Sequence, residues 1–123
     1  MENPKPGYAD YNVQLNMSSD GKVTLLEIWE KNGEMCRPNG PALTERSDIT
    51  GNVLLEIWCC SGAEHRSDGP AVTEFQDDKT PMPLRCLWMW YGKKHRRGGP
   101  ALKEWDESGN VVREEWWIDG KRL

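Results

Sequence analysis

The chain has 123 residues, with 16 Lys and Arg against 20 Asp and Glu, so its formal net charge is -4. That length suits one domain, and an acidic balance argues against a general binder of phosphate backbones, which needs a basic surface. No run of about 18 apolar residues occurs, so no transmembrane helix and no membrane partner are expected.

In chain order, residues 1–17 read as an N-terminal leader, with Tyr8 and Tyr11 placed to cover one face of the repeat domain. The first ten residues lack a charged-then-apolar pattern, so no secretory signal is expected. From residue 18 an internal repeat organises the sequence. Trp29 with Gly33, Trp58 with Gly62, Trp88 with Gly92 and Trp116 with Gly120 share Trp-x-x-x-Gly, and the tryptophans lie 29, 30 and 28 residues apart. A second marker follows the first three. It runs from Cys36 to Ala42, from His65 to Ala71 and from His95 to Ala101, and Glu45, Glu74 and Glu104 come three residues later. The units cover 18–45, 46–77 and 78–107, and a half unit, 108–123, lacks the second marker. Units 18–45, 46–77 and the half unit are entered through Gly21, Gly51 and Gly109, while the third has Pro81-Met82-Pro83.

Each unit reads as β-structure. Val53 to Trp58 is short, β-branched and aromatic, and glycines bound it. Asn32-Gly33, Ser61-Gly62 and Asp119-Gly120 are hairpin dipeptides whose glycine supplies positive φ. A second strand should start near Glu34, Glu64 or Lys94 and break at Gly-Pro, since Pro41, Pro70 and Pro100 cannot donate to a ladder. The expectation is an all-β antiparallel meander of repeated hairpins, with seven to nine strands in a curled or partly layered sheet. Leu26, Ile28, Leu55, Ile57 and Leu87 would share one face and Trp29, Trp58, Trp88 and Trp116 the other, with Arg113 and Glu115 making the last strand soluble at its edge. With 37% hydrophobic residues, the tryptophans should carry much of the core, at roughly 4–6 kcal/mol for each ring fully buried.

The second marker, best formed in His65-Arg66-Ser67-Asp68-Gly69-Pro70-Ala71, resembles a His-Arg-x-Asp-Gly-Pro-Ala repeat of bacterial and phage proteins, akin to MORN-variant, antitoxin-like repeats. The resemblance spans roughly residues 18–123 and implies β-hairpin repeats without enzymatic activity. The first unit departs from it at Cys36 and Pro38-Asn39, the third at Gly98.

The four cysteines are too few for a disulfide scaffold, and the adjacent Cys59 and Cys60 suit a reducing compartment, so cytoplasm is expected, host cytoplasm for a phage-borne chain. Metal is not expected. Cys36, His65 and His95 occupy one repeat position, but equivalent positions two strands apart lie about 9–10 Å apart, too far for shared ligation at about 2.0–2.3 Å. No other cofactor is implied. Cys60 and His65 flank a turn, which would make them cross-strand neighbours, and with Asp68 they could be drawn as a triad. A His that repeats beside a Cys that does not is read as structural instead, and no catalytic residue is assigned.

The repeated Arg37, Arg66 and Arg96 are expected to stack on the repeated Trp and to reach Glu45, Glu74 or Glu104, or loop carbonyls. Trp29, Trp58, His65 and His95 complete the structural set. The expected partner is another protein, a bacterial host or defence complex, met by Trp88, Trp90, Tyr91, Trp116 and Trp117, with Arg96, Arg97 and the pairs Asp77-Asp78, Asp106-Glu107 and Glu114-Glu115 at the rim. The chain would then be an inhibitor or antitoxin-like module, phage-encoded and directed against host defence. Two alternatives stand beside it: contact with nucleic acid through Lys93-Lys94-His95-Arg96-Arg97, and homo-oligomerisation through edge strands.

Overall fold

The computed structural model describes residues 10–77 and 82–123. Tyr8, Asp78 and Pro81 lie outside the described residues. No helix forms among those described, and the long strands build one antiparallel meander. They are β1 (Tyr11–Met17), β2 (Thr24–Lys31), β4 (Leu43–Arg46), β5 (Val53–Ile57), β8 (Val72–Phe75), β9 (Pro83–Leu87), β12 (Leu102–Trp105) and β13 (Val111–Glu115), paired in that order. With β3 (Glu34–Met35), which pairs with β2, this makes a sheet of nine strands. Three short hairpins stand off it: β6 (Cys59–Cys60) with β7 (Ala63–Glu64), β10 (Met89–Trp90) with β11 (Lys93–Lys94), and β14 (Trp117–Ile118) with β15 (Lys121–Arg122). The sheet does not close, so β1 and β13 are its two edges.

Turn chemistry explains the hairpins. Asn32-Gly33, Ser61-Gly62, Tyr91-Gly92 and Asp119-Gly120 have positive φ at both residues, 53° and 78° in the first and 44° and 84° in the third. This is the turn whose twist matches the flanking strands. The repeated Trp sits where the long strand gives way to the hairpin. Its backbone still pairs on both sides: Trp58 N–H donates to Ala71 at 2.7 Å, and its carbonyl accepts from His65 N–H at 2.9 Å.

Part of the segment read as a leader is a strand of the repeat. Gln14 pairs with Ile28 as Leu43 pairs with Ile57, and a register shift follows at Asn16/Met17 as at Glu45/Arg46. The turns after the two strands match as well: Ser18 N–H donates to Val23 at 2.8 Å, and Ser47 N–H to Asn52 at 2.9 Å. β1 thus takes the place that β4 holds in the next unit.

The core is a single row of small and medium side chains. Ala71, Val72, Leu87, Met89 and Leu102 form it, with Leu55, Ile57 and Trp58 packed alongside. Ala42, Ala71 and Ala101 are 0% exposed, so this position of the marker is sealed from solvent in all three full units. The expectation of a tryptophan core needs correction: all seven tryptophans are half-buried or exposed. A second correction concerns Glu115. Its position carries Ile28, Ile57 or Leu87 in the other units, and it is 3% exposed rather than a solvated edge residue. It accepts from Trp117 Nε1 at 2.9 Å and from the Arg113 guanidinium, with Arg122 at 3.8 Å and Lys94 at 3.9 Å. Those donors, Trp117 first, hold its carboxyl below the usual carboxylate range.

Candidate functional site

The second marker folds into a loop whose every residue type has a physical reason. The guanidinium carbons of Arg37, Arg66 and Arg96 lie 4.2, 3.9 and 3.9 Å from the ring centres of Trp29, Trp58 and Trp88. Each also donates to the carbonyl of the loop proline, Pro41, Pro70 or Pro100, at 3.2–3.3 Å. Gly40, Gly69 and Gly99 give these side chains their seat, since a Cβ there would meet the guanidinium at 2.8, 2.9 and 2.6 Å. The marker is therefore a layered clamp of ring, guanidinium and glycine. The acidic partners differ from expectation. Arg37 pairs with Glu27 at 3.2 Å and Arg66 with Asp68 at 2.8 Å. Glu74 and Glu104 belong instead to a ladder across the sheet with Arg85 and Arg113, because strand alternation turns them to the other face.

The departures of the first and third loops follow backbone conformation. Asn39 (φ 57°) and Gly98 (φ 83°) are left-handed, as Asn and Gly allow. Asp68 at the same place is not, and its carboxylate bonds Arg66 Nε instead. That contact, through the hydrogen bond first, keeps the Asp68 carboxyl below its ordinary range.

The repeated histidine joins one unit to the next. Nδ1 of His65 accepts Tyr91 N–H at 3.2 Å, and Nδ1 of His95 accepts Asp119 N–H at 2.9 Å. Beside these bonds, Gly92 N–H donates to Glu64 at 2.8 Å and Gly120 N–H to Lys94 at 2.9 Å. Each hairpin tip thus rests on the unit before it. Cys60 pairs with Ala63 and Cys59 with Glu64, so His65 is not the direct cross-strand partner of either cysteine, and its Nδ1 is taken by Tyr91 N–H. Burial pushes the Cys59 thiol up to about 11, away from thiolate chemistry. Among the described residues, no group of three His, Cys, Asp or Glu side chains is placed to hold a metal ion.

Between successive loops run two grooves of about 420 Å3 each. The first lies between Arg37 and Arg66 and is lined by Tyr11, Trp58 and three cysteines, Cys36, Cys59 and Cys60. The second lies between Arg66 and Arg96 and is lined by Trp88, Trp90, His95 and Arg97. The residues expected to meet a partner divide into two sets. Trp90 (43% exposed), Tyr91 (55%), Trp116 (46%) and Arg97 face solvent. Trp88 is covered by Arg96, and Trp117 is held by Glu115 and by Lys94, 4.5 Å from its ring. Trp90 and Tyr91 form an aromatic cluster with His65, at centroid distances of 4.4 and 4.0 Å.

The charged rims also differ from expectation. Lys93 faces Asp119 at 3.9 Å and Lys94 faces Glu115, so the two lysines of the basic run meet acids of the last unit, while Arg96 and Arg97 do not. Two members of the acidic pairs, Asp77 and Asp106, are spent on turns. Asp77 accepts from Ser47 and Thr50 hydroxyls at 2.7 Å each, and Asp106 accepts backbone N–H groups of Ser108 and Asn110. Sequence reasoning missed the seating role of Gly40, Gly69 and Gly99, although their place in every marker was the available clue. It also missed buried Glu115, for which Arg113 two residues earlier was the clue. In comparison with known proteins, no family model, no curated protein and no solved structure matches this chain.

Proposed function

We propose that the protein is a non-catalytic module that binds another protein through the third hairpin and acts by occupying its partner's surface, as an inhibitor or antitoxin does. One observation carries the reading. The third turn has Tyr91 at a left-handed position (φ 44°) where the other units have Asn32, Ser61 and Asp119. A bulky residue there costs roughly 1–2 kcal/mol, and such strain clusters at binding sites. It is held beside half-exposed Trp90, and paired aromatic side chains of this kind are common interface anchors. The resemblance of the repeat to bacterial and phage repeats supports a bacterial defence complex as the partner, met in host cytoplasm.

The test is retention of proteins from a nuclease-treated bacterial lysate by tagged wild type and by a Trp90→Ala/Tyr91→Ala variant. A protein held by the wild type and lost by the variant is the expected result. Bound material that vanishes with nuclease, or binds both forms equally, overturns the proposal.

A further inference from the structure

The two grooves have the same volume and the same repeat origin, but not the same charge. In the first, both arginines are neutralised, Arg37 by Glu27 and Arg66 by Asp68. In the second, Arg96 and Arg97 make no ion pair with a described carboxylate. Arg96 is fixed in place by Trp88 beneath it and the Pro100 carbonyl beside it. Arg97 is exposed at the rim, and Trp90 forms an aromatic wall. The groove therefore presents one preorganised and one free guanidinium beside apolar surface. Such a pair matches a carboxylate, which guanidinium groups bind through short, charge-assisted hydrogen bonds.

We infer that the second groove receives an acidic side chain from an extended segment of the partner protein, with its neighbouring apolar residues against Trp90. This rests on the protein-binding reading above and names the chemistry of the segment. A nucleic-acid strand is a poorer fit. It needs a positive track several nucleotides long, whereas the adjoining groove is charge-balanced and Asp68, at 76% side-chain exposure, stands at the shared rim. The unmatched charge is local and suits one or two carboxylates.

The experiment uses a short fluorescein-labelled peptide of alternating Glu, Ser and Leu, its counterpart with Gln for Glu, and a labelled oligothymidine of similar length. Each is titrated by anisotropy at low salt against wild type, Arg97→Glu and Arg97→Lys. Arg97 is exposed and pairs with no described carboxylate, so these substitutions are expected to leave the fold intact. The Glu peptide is expected to bind, the Gln peptide to bind far more weakly, Arg97→Glu to lose about tenfold or more in affinity, and Arg97→Lys to lose only part of it. Equal binding of the two peptides overturns the inference, as does indifference to Arg97→Glu. Tighter, Arg97-dependent binding of oligothymidine overturns it too and assigns the groove to nucleic acid. The lysate experiment separates the two claims. A partner lost from the Trp90→Ala/Tyr91→Ala variant while the peptides ignore Arg97 leaves the binding module standing and removes only the acidic segment.

Discussion

His65 holds Tyr91 twice: Nδ1 accepts the tyrosine's backbone N–H at 3.2 Å, and the two rings stack 4.0 Å apart. A side chain from one unit thereby fixes the most strained residue of the next hairpin.

Replacing that tyrosine separates stability from binding. Tyr91→Asn places a residue tolerant of the left-handed region at φ 44°, and relief of roughly 1–2 kcal/mol is offset by the two lost ring contacts, at about 0.5–1.5 kcal/mol each. Thermal unfolding should shift by no more than a few degrees while retention of the partner falls. A variant that is both less stable and fully competent for binding contradicts this account.

The same histidine makes stability depend on pH. Burial lowers the His65 pKa below its ordinary 6.5, and Nδ1 can accept Tyr91 N–H only when unprotonated. In that window the unfolded chain binds more protons than the folded one, so stability is full above about pH 6.5 and is lost as pH falls through the folded value. Thermal midpoints measured between pH 8 and pH 5 should decline, and His65→Gln should flatten the decline. The carboxylates of Asp68, Asp77 and Asp106 are lowered mainly by their hydrogen bonds, so their contribution persists until the pH falls below about 4. The two windows separate in one titration.

Adding a methyl group at a clamp glycine should dislodge the arginine above it. In Gly99→Ala the new Cβ would meet the Arg96 guanidinium at 2.6 Å. We expect a loss of about 1–3 kcal/mol, typical of overpacking. Denaturant unfolding reads the loss, and altered tryptophan emission reports an uncovered Trp88. Arg96→Lys should also uncover the ring, because an ammonium lacks the planar face.

Glu115 ties the final hairpin to the sheet. Glu115→Gln removes the charge that faces Arg113, Arg122 and Lys94 and leaves those cations without their shared partner. Amide exchange should accelerate first at Trp117–Ile118 and Lys121–Arg122, with a fall of several degrees in thermal midpoint. Glu115→Leu, which restores the side-chain type of Leu87, should cost less, because a carboxylate is no longer held out of water. Uniform exchange across the sheet would contradict a local role.

Period and turn chemistry made the meander legible, because every unit repeats the Trp-x-x-x-Gly turn and the three full units repeat the Gly-Pro break. The Trp–Arg stack was legible for a related reason: a charged residue locked to the repeat usually holds the repeat together. β1 was not, since its sequence lacks the Trp and Gly-Pro-Ala markers and matches the other units only in register and bulge. The tryptophan core was misjudged because composition counts rings without saying how guanidinium groups will shield them. The pairing of Lys93 and Lys94 with Asp119 and Glu115 was not legible either, because these acids are distant in sequence and meet the lysines only after stacking of the hairpins.

The two grooves are separated by one repeat, which is two strands, or about 9–10 Å across the sheet. An extended polypeptide advances about 3.3 Å per residue. In the polyproline-II form, with about 3.1 Å per residue and the same face every three residues, a chain laid across the strands would therefore bring every third side chain over a groove. On the proposed protein-binding reading, the repeat would act as a molecular vernier with its divisions near the pitch of an extended peptide, and the number of units would determine how long a stretch it can measure.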